Sequence, residues 1–169
     1  MARRRVVTAT FLEDAAIQDT EHGAALAMLF LGLILRADDY GIVQAHPGVI
    51  ASQVFPYGQH GRSEVTKMLT VLEKARLLLP FVAANGSAYY ALRTWFRHQH
   101  IARPEPLRVR PSDAVIDALA DAVVDQERVR SAFSLVGQQR IADGRSSRAA
   151  YAADRRKRGS LEEDTGPAF

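Results

Sequence analysis

The sequence predicts a mainly helical α+β fold with one small β-hairpin, followed by a C-terminal helix and a flexible tail. Three observations carry that expectation. A chain of 169 residues has room for one core plus an appendage. Apolar residues recur at helical spacing in successive segments ahead of Lys74. Asn85-Gly86 then separates two apolar, partly aromatic runs, the strongest short-range hairpin signal in the chain. With 47% apolar and 24% charged residues, the composition is that of an ordinary globular domain, so no special class has to be invoked.

Residues 1–18 read as a basic arm and lead-in, with Arg3, Arg4 and Arg5 ahead of a mixed segment. Asp19-Thr20 offers an N-cap and Glu21 suits the positive end of a helix dipole. The helix expected from Glu21 to about Arg36 is apolar nearly all round, which predicts a central, buried element. "ADDYG", Ala37–Gly41, ends it, with Asp38 suited to anchor the turn through side-chain-to-backbone bonds. "IVQA" fits a short strand. His46-Pro47 opens a second helix with Val49, Ile50, Val54 and Phe55 on its apolar face. After the turn "FPYGQHG", Ser63 is the expected cap of a third helix, "EVTKMLTVLEKAR".

The hairpin follows in "LLLPFVAANGSAYYALRTWF". Pro80 assigns its first strand to an edge or a bulge, and Asn85-Gly86 reads as a type I′ turn. In "TWFRHQHIARPEP", Thr94–Pro106, Trp95 and Phe96 are expected to close the core. Extended-chain alternation puts Phe96, His98 and His100 on one side and Trp95, Arg97 and Gln99 on the other. His98 and Gln99 then satisfy backbone groups where the hairpin ends. Pro104, Pro106 and Pro111 mark a linker. Ser112 caps a helix from Asp113 to about Val136, with Val115, Ile116, Leu119 and Val123 on one side; the pattern falters at Asp125–Arg128, against a long coiled coil. Beyond Ala142, glycine, serine, arginine and acids predict disorder. The expected organisation is thus an arm at 1–18, a domain at 19–106, a helical segment at 112–140 and a tail at 141–169.

Helix, short strand, two helices and a hairpin is the order of a winged helix-turn-helix, with Asn85-Gly86 at the wing tip. Its third helix carries the functional signal. Val65, Met68, Leu69 and Leu72 form a core-facing stripe, while Ser63, Lys67, Thr70 and Lys74 recur on the opposite side, with Thr66 beside them. Glu64 and Glu73 lie off that outer stripe. Cations for phosphates and short polar groups that admit base edges are what a major-groove reader needs, and Arg62 and Ser63 stand at the end that usually reaches bases. An ordinary surface helix shares much of this composition, so the case rests on its combination with the hairpin and the arm. Arg3–Arg5 suit a minor groove, Asn85 and Ser87 suit phosphates at the tip, and Arg97 and Arg103 are further phosphate candidates.

"LFLGLILRADDYGIV", "FPYGQHGRSEVTKMLTVLEKARLL" and "WFRHQHIARPEP", in that order, resemble the N-terminal winged-helix domain of phage replisome-organiser (replication-initiation) proteins. The matching residues are Leu29, Phe30 and Leu33; Ala37, Asp38 and Gly41; Phe55 and Pro56; Leu72, Leu77 and Leu78; Trp95 or Phe96; and His98, Gln99, Arg103 and Pro104. The resemblance covers roughly residues 3–106. It implies binding to double-stranded DNA, often at a phage origin, and in longer members a second domain that handles the replicative helicase or its loader.

Other chemistries find no support. The chain lacks cysteine, a phosphate-cradling G-x-x-x-x-G-K-[ST] loop and a G-x-S-x-G elbow. His98 and His100 have no third partner at metal-ligand spacing. No catalytic residue, cofactor or metal is therefore expected. Ala24–Leu35, the longest apolar run, is shorter than the ~18 residues a bilayer span needs, and a cytoplasmic protein without a membrane partner is expected. Two other readings stand beside origin binding: a transcriptional repressor or excision-type regulator on the same scaffold, and a protein-interaction module that docks a replication subunit. Ile116, Leu119 and Val123 would serve either a homodimer or packing onto their own domain.

Overall fold

The computed structural model describes residues 5–11, 13, 15–18 and 23–163, with side chains through residue 153 except those of residues 10 and 16. It is mainly helical with one three-stranded antiparallel sheet. After a 3-10 turn at Ala9–Phe11, α1 (Ala15–Gln18) buries Ile17 completely, and Phe11 stacks on Phe30 with ring centroids 6.0 Å apart.

The first long helix, α2 (Gly23–Arg36), buries Leu26, Leu29, Phe30 and Leu33. It is not enclosed on all sides, as its all-round hydropathy suggested: Met28 and Leu35 remain 52% and 56% exposed. The helices packed against it, α1 and those at Pro47–Val54 and Arg62–Lys74, leave that side uncovered. The expected cap at Asp19–Glu21 lies outside the described residues. Asp38 anchors the next turn as expected, its Oδ1 accepting from the Tyr40 and Ile42 amides at 2.8 and 2.9 Å. Gly41 follows with φ 78°, and a Cβ there would stand 2.5 Å from Trp95 Cγ. Conformation and contact both require glycine.

β1 (Ile42–Gln44) leads to α3 (Pro47–Val54), capped by His46 Nδ1, which accepts from the Val49 amide at 3.2 Å. Ile50 and Phe55 are buried, whereas Val49 is exposed. α4 (Arg62–Lys74) begins ahead of the expected Ser63 cap. Gly61 holds the cap position, and Glu64 Oε2 reaches back to accept from its amide at 3.1 Å. The Ser63 hydroxyl therefore does not cap the helix; the Glu64 carboxylate satisfies the N-cap amide instead. Val65, Met68, Leu69 and Leu72 are all buried, as their spacing predicts.

At the far end of α4, Arg76 adopts φ 56°; its amide donates to Glu73 O and that of Leu77 to Leu72 O, the Schellman pattern with arginine where glycine is usual. β2 (Leu78–Val82) and β3 (Ala88–Leu92) complete the sheet in the order β1-β3-β2. β2 is thus an edge strand, which accommodates Pro80 opposite Tyr90. The hairpin turn is not type I′, since Asn85 does not take positive φ. Gly86 alone does, at 78°, and the Ala83 amide bonds Ser87 O across a three-residue loop.

Trp95–His98 forms a short helix, α5, rather than an extended run, so Trp95 and Phe96 are buried together instead of alternating. The expected helix from Asp113 to Val136 is three elements: α6 (Asp113–Ala120), α7 (Gln126–Phe133) and the start of α8 (Leu135–Glu163). The first break falls where the periodicity falters, with Asp125 Oδ1 capping α7 through the Arg128 amide at 3.0 Å. Residues 142–163, expected to be disordered, are helical; alanine and arginine, strong helix formers, supply the propensity. The remainder of the expected tail lies outside the described residues.

α6 and α7 fold back onto the domain. Phe133 lies 5.6 Å from the Tyr40 ring and 5.7 Å from Phe96, and Arg128 donates to the Phe96 and Gln99 carbonyls. Ile116 and Leu119 are buried and Val123 partly so, which spends within the chain the surface considered for a homodimer. The proline-marked linker is likewise pinned: Tyr40 Oη donates to Glu105 O, Asp39 Oδ2 accepts from the Glu105 amide, and Gln138 Oε1 accepts from the Leu107 amide.

Candidate nucleic-acid interface

α4 presents Arg62, Ser63, Thr66, Lys67, Thr70 and Lys74, all exposed, on its outward side. The Arg62, Lys67 and Lys74 side chains make no hydrogen bond or ion pair among the described residues. Thr66 Oγ1 donates to Arg62 O at 2.8 Å and Thr70 Oγ1 to Thr66 O at 3.1 Å. With their protons spent one turn back, the two hydroxyls offer lone pairs and methyl groups outward.

Both acids of α4 are hydrogen-bonded. Glu64 is held by the Gly61 amide and stands 3.5 Å from His60. Glu73 accepts from Tyr90 Oη at 2.8 Å. Burial of Tyr90, and then this bond, push the phenol pKa well above its ordinary value. Arg62, Lys67 and Lys74 are thus exposed on α4, and among the described residues none forms an ion pair with either glutamate.

His46 joins this face although sequence reasoning did not select it. A Cβ at Gly48 would lie 3.5 Å from the His46 ring and 3.8 Å from Arg62 Cδ, so Arg62 folds over the start of α3 beside the histidine. Because Nδ1 caps α3, the neutral ring carries its proton on Nε2 as a spare donor. The His-Pro pair ahead of a helix was the available signal. At the hairpin tip Asn85 is exposed; its Oδ1 accepts from the Ser87 amide at 3.0 Å, leaving the amide NH2 for other partners.

Other candidates are placed elsewhere. Arg5 is not a free arm residue: its side chain is 1% exposed, and Nη2 donates to Ala37 O at 2.9 Å and to Asp38 O and Asp39 Oδ1 at 3.3 Å. Its guanidinium lies 4.9 Å from the Trp95 ring centroid. A buried carboxylate and the carbonyls at the end of α2 claim it. Arg3 and Arg4 lie outside the described residues. Gln99 serves the backbone of this arm rather than the hairpin end, accepting from Val6 N at 3.1 Å and donating to Val6 O at 2.7 Å. Arg97 lines one groove with Val6 and Val7 and another with Asp121 and Asp125, off the α4 face. Arg103 is exposed beside α8.

Among the described residues no group of three or more His, Cys, Asp or Glu could hold a metal ion. His98 is half-buried, and burial first, then Arg97, lower its pKa. No helix among the described residues is long and apolar enough to cross a membrane. No family model, curated protein or solved structure matches the chain.

Proposed function

We propose that this protein is a winged helix-turn-helix that binds double-stranded DNA in a sequence-specific way, with recognition of a phage or mobile-element replication origin as its role. The observation that carries the reading is the outward face of α4, where Arg62, Lys67 and Lys74 have no partner among the described residues while Glu64 and Glu73 are hydrogen-bonded to Gly61 and Tyr90. The element order and the β1-β3-β2 sheet support it by setting α3 and α4 ahead of a hairpin. In this mechanism α4 enters the major groove, Arg62 and Thr70 meet base edges, and Lys67, Lys74 and the Asn85 tip hold phosphates. Counterion release makes the attachment steeply salt-dependent.

The test is a salt titration with duplex DNA. Lys67→Ala/Lys74→Ala lowers affinity for every sequence and reduces the salt slope by about two. Arg62→Ala or Thr70→Ala instead relaxes sequence preference by about 1–3 kcal/mol. Wild-type binding by the double lysine variant at every salt concentration overturns the reading. Footprinting on the element's own origin and promoters separates replication initiation from repression or excision control. Exposed Met28, Leu35 and Val49 favour a second reading, a module that docks a replication subunit such as the helicase or its loader. Absence of DNA binding at low salt decides for it.

A further inference from the structure

The second accumulation of cations in the fold is on α8. Near its start Gln138 ties this helix to Tyr40, Ala132 and Leu107, whereas every residue from Ser146 to Ala153 is exposed. At the junction Arg145 holds the Glu105 carboxylate with both terminal guanidinium nitrogens, Nη1 and Nη2, the latter at 2.8 Å. Arg103 and Arg148 make no hydrogen bond or ion pair among the described residues. With Pro104, Arg145 and Ala149 they line a pocket of about 280 Å³. Arg148 folds back over Gly144, where a Cβ would stand 3.6 Å from its Nη1. Three arginines thus line one concave site open to solvent; Arg145 is paired with Glu105 and feels Asp39, while Arg103 and Arg148 have no carboxylate partner among the described residues.

Beyond the pocket the α8 backbone runs on to Glu163, and the sequence of that stretch holds Arg155, Arg156, Lys157 and Arg158 together with Asp154, Glu162 and Glu163. Around Arg148 stand Ser146, Ser147, Ala149, Ala150, Ala152 and Ala153, small residues that let a helix approach a phosphate backbone closely. Tyr151 is the one large apolar side chain among residues 146–153, so this stretch lacks the apolar face that an anionic membrane surface would require.

We propose that the pocket of Arg103, Arg145 and Arg148, with the exposed α8 stretch through Ala153, is a second phosphate-binding element for double-stranded DNA, separate from the α4 face. The proposal rests on the DNA-binding reading and adds to it a contact made without base recognition. Guanidinium forks suit phosphate oxygens in bidentate geometry, and each phosphate engaged releases counterion.

The experiment uses the full chain and a duplex longer than the α4 footprint, read by fluorescence anisotropy across a salt series. It compares wild type, Arg103→Ala/Arg148→Ala and Lys67→Ala/Lys74→Ala. The arginine variant is expected to retain helicity and sequence preference, lose affinity several-fold, and show a salt slope shallower by about two. Arg148→Glu, a single change at an exposed helix position, should lower affinity further and serves if the double variant misfolds. Wild-type affinity and slope for both arginine variants overturn the proposal, and leave the α4 reading to be judged by the lysine variant alone. Phosphatidylserine vesicles form a separate arm. Loss of vesicle binding with duplex binding unchanged overturns the proposal in favour of a membrane surface.

Discussion

His98 sits half-buried on α5 beside Arg97, and both burial and that neighbouring cation disfavour its charged form. Its folded pKa lies below the ordinary 6.5, so the unfolded chain binds the proton more readily. Its contribution to stability is complete above about 6.5 and is lost as pH falls toward the folded value. Urea midpoints measured from neutral to mildly acidic pH should therefore decline, and His98→Gln should flatten that part of the profile. The roles of single residues were unevenly legible. Asp38 was readable because its partners, Tyr40 and Ile42, are adjacent in the chain. Arg5 was not: a basic cluster near a chain end reads as solvated, and nothing local announces Asp39 thirty-four residues on.

Among the elements, α4 shows most plainly what periodicity can reveal. Its buried and exposed sides follow from a spacing confined to thirteen residues, and the structure reproduces both. Its C-terminal exit did not follow from periodicity, because Arg76 occupies a left-handed conformation that normally signals glycine. Arg76→Gly should relieve that backbone cost and raise stability by about 0.5–1 kcal/mol, seen as a higher urea midpoint with unchanged slope. α5 and α8 escaped for opposite reasons. A one-turn helix has too few residues to establish a period, and α8 has propensity without an apolar stripe, so its serines and glycines read as loop composition.

For the whole molecule, the unexpected feature is that both flanks of the domain converge on one polar centre. Asp39 accepts from Arg5 with one carboxylate oxygen and from the Glu105 amide with the other, while neighbouring Tyr40 bonds Glu105 O and receives Gln138 of α8. The arm, the proline-rich segment and the C-terminal helices are thereby fastened through two consecutive residues. Asp39→Ala leaves the Arg5 charge buried without its partner and should cost about 3–5 kcal/mol. Chemical denaturation checks the figure, and circular dichroism should show both flanks affected together. Sequence patterning locates elements but not such convergence, because hydrogen bonds spanning thirty to a hundred residues leave no periodic trace.

Trp95 lies at this same junction, nearly out of water, its indole N–H bonded to Asp39 O at 3.1 Å and its ring under the Arg5 guanidinium. It is the only tryptophan in the chain. The molecule therefore carries a built-in optical reporter: its ultraviolet emission comes from one shielded indole, and detachment of the arm would shift that emission to the red before any helix melts.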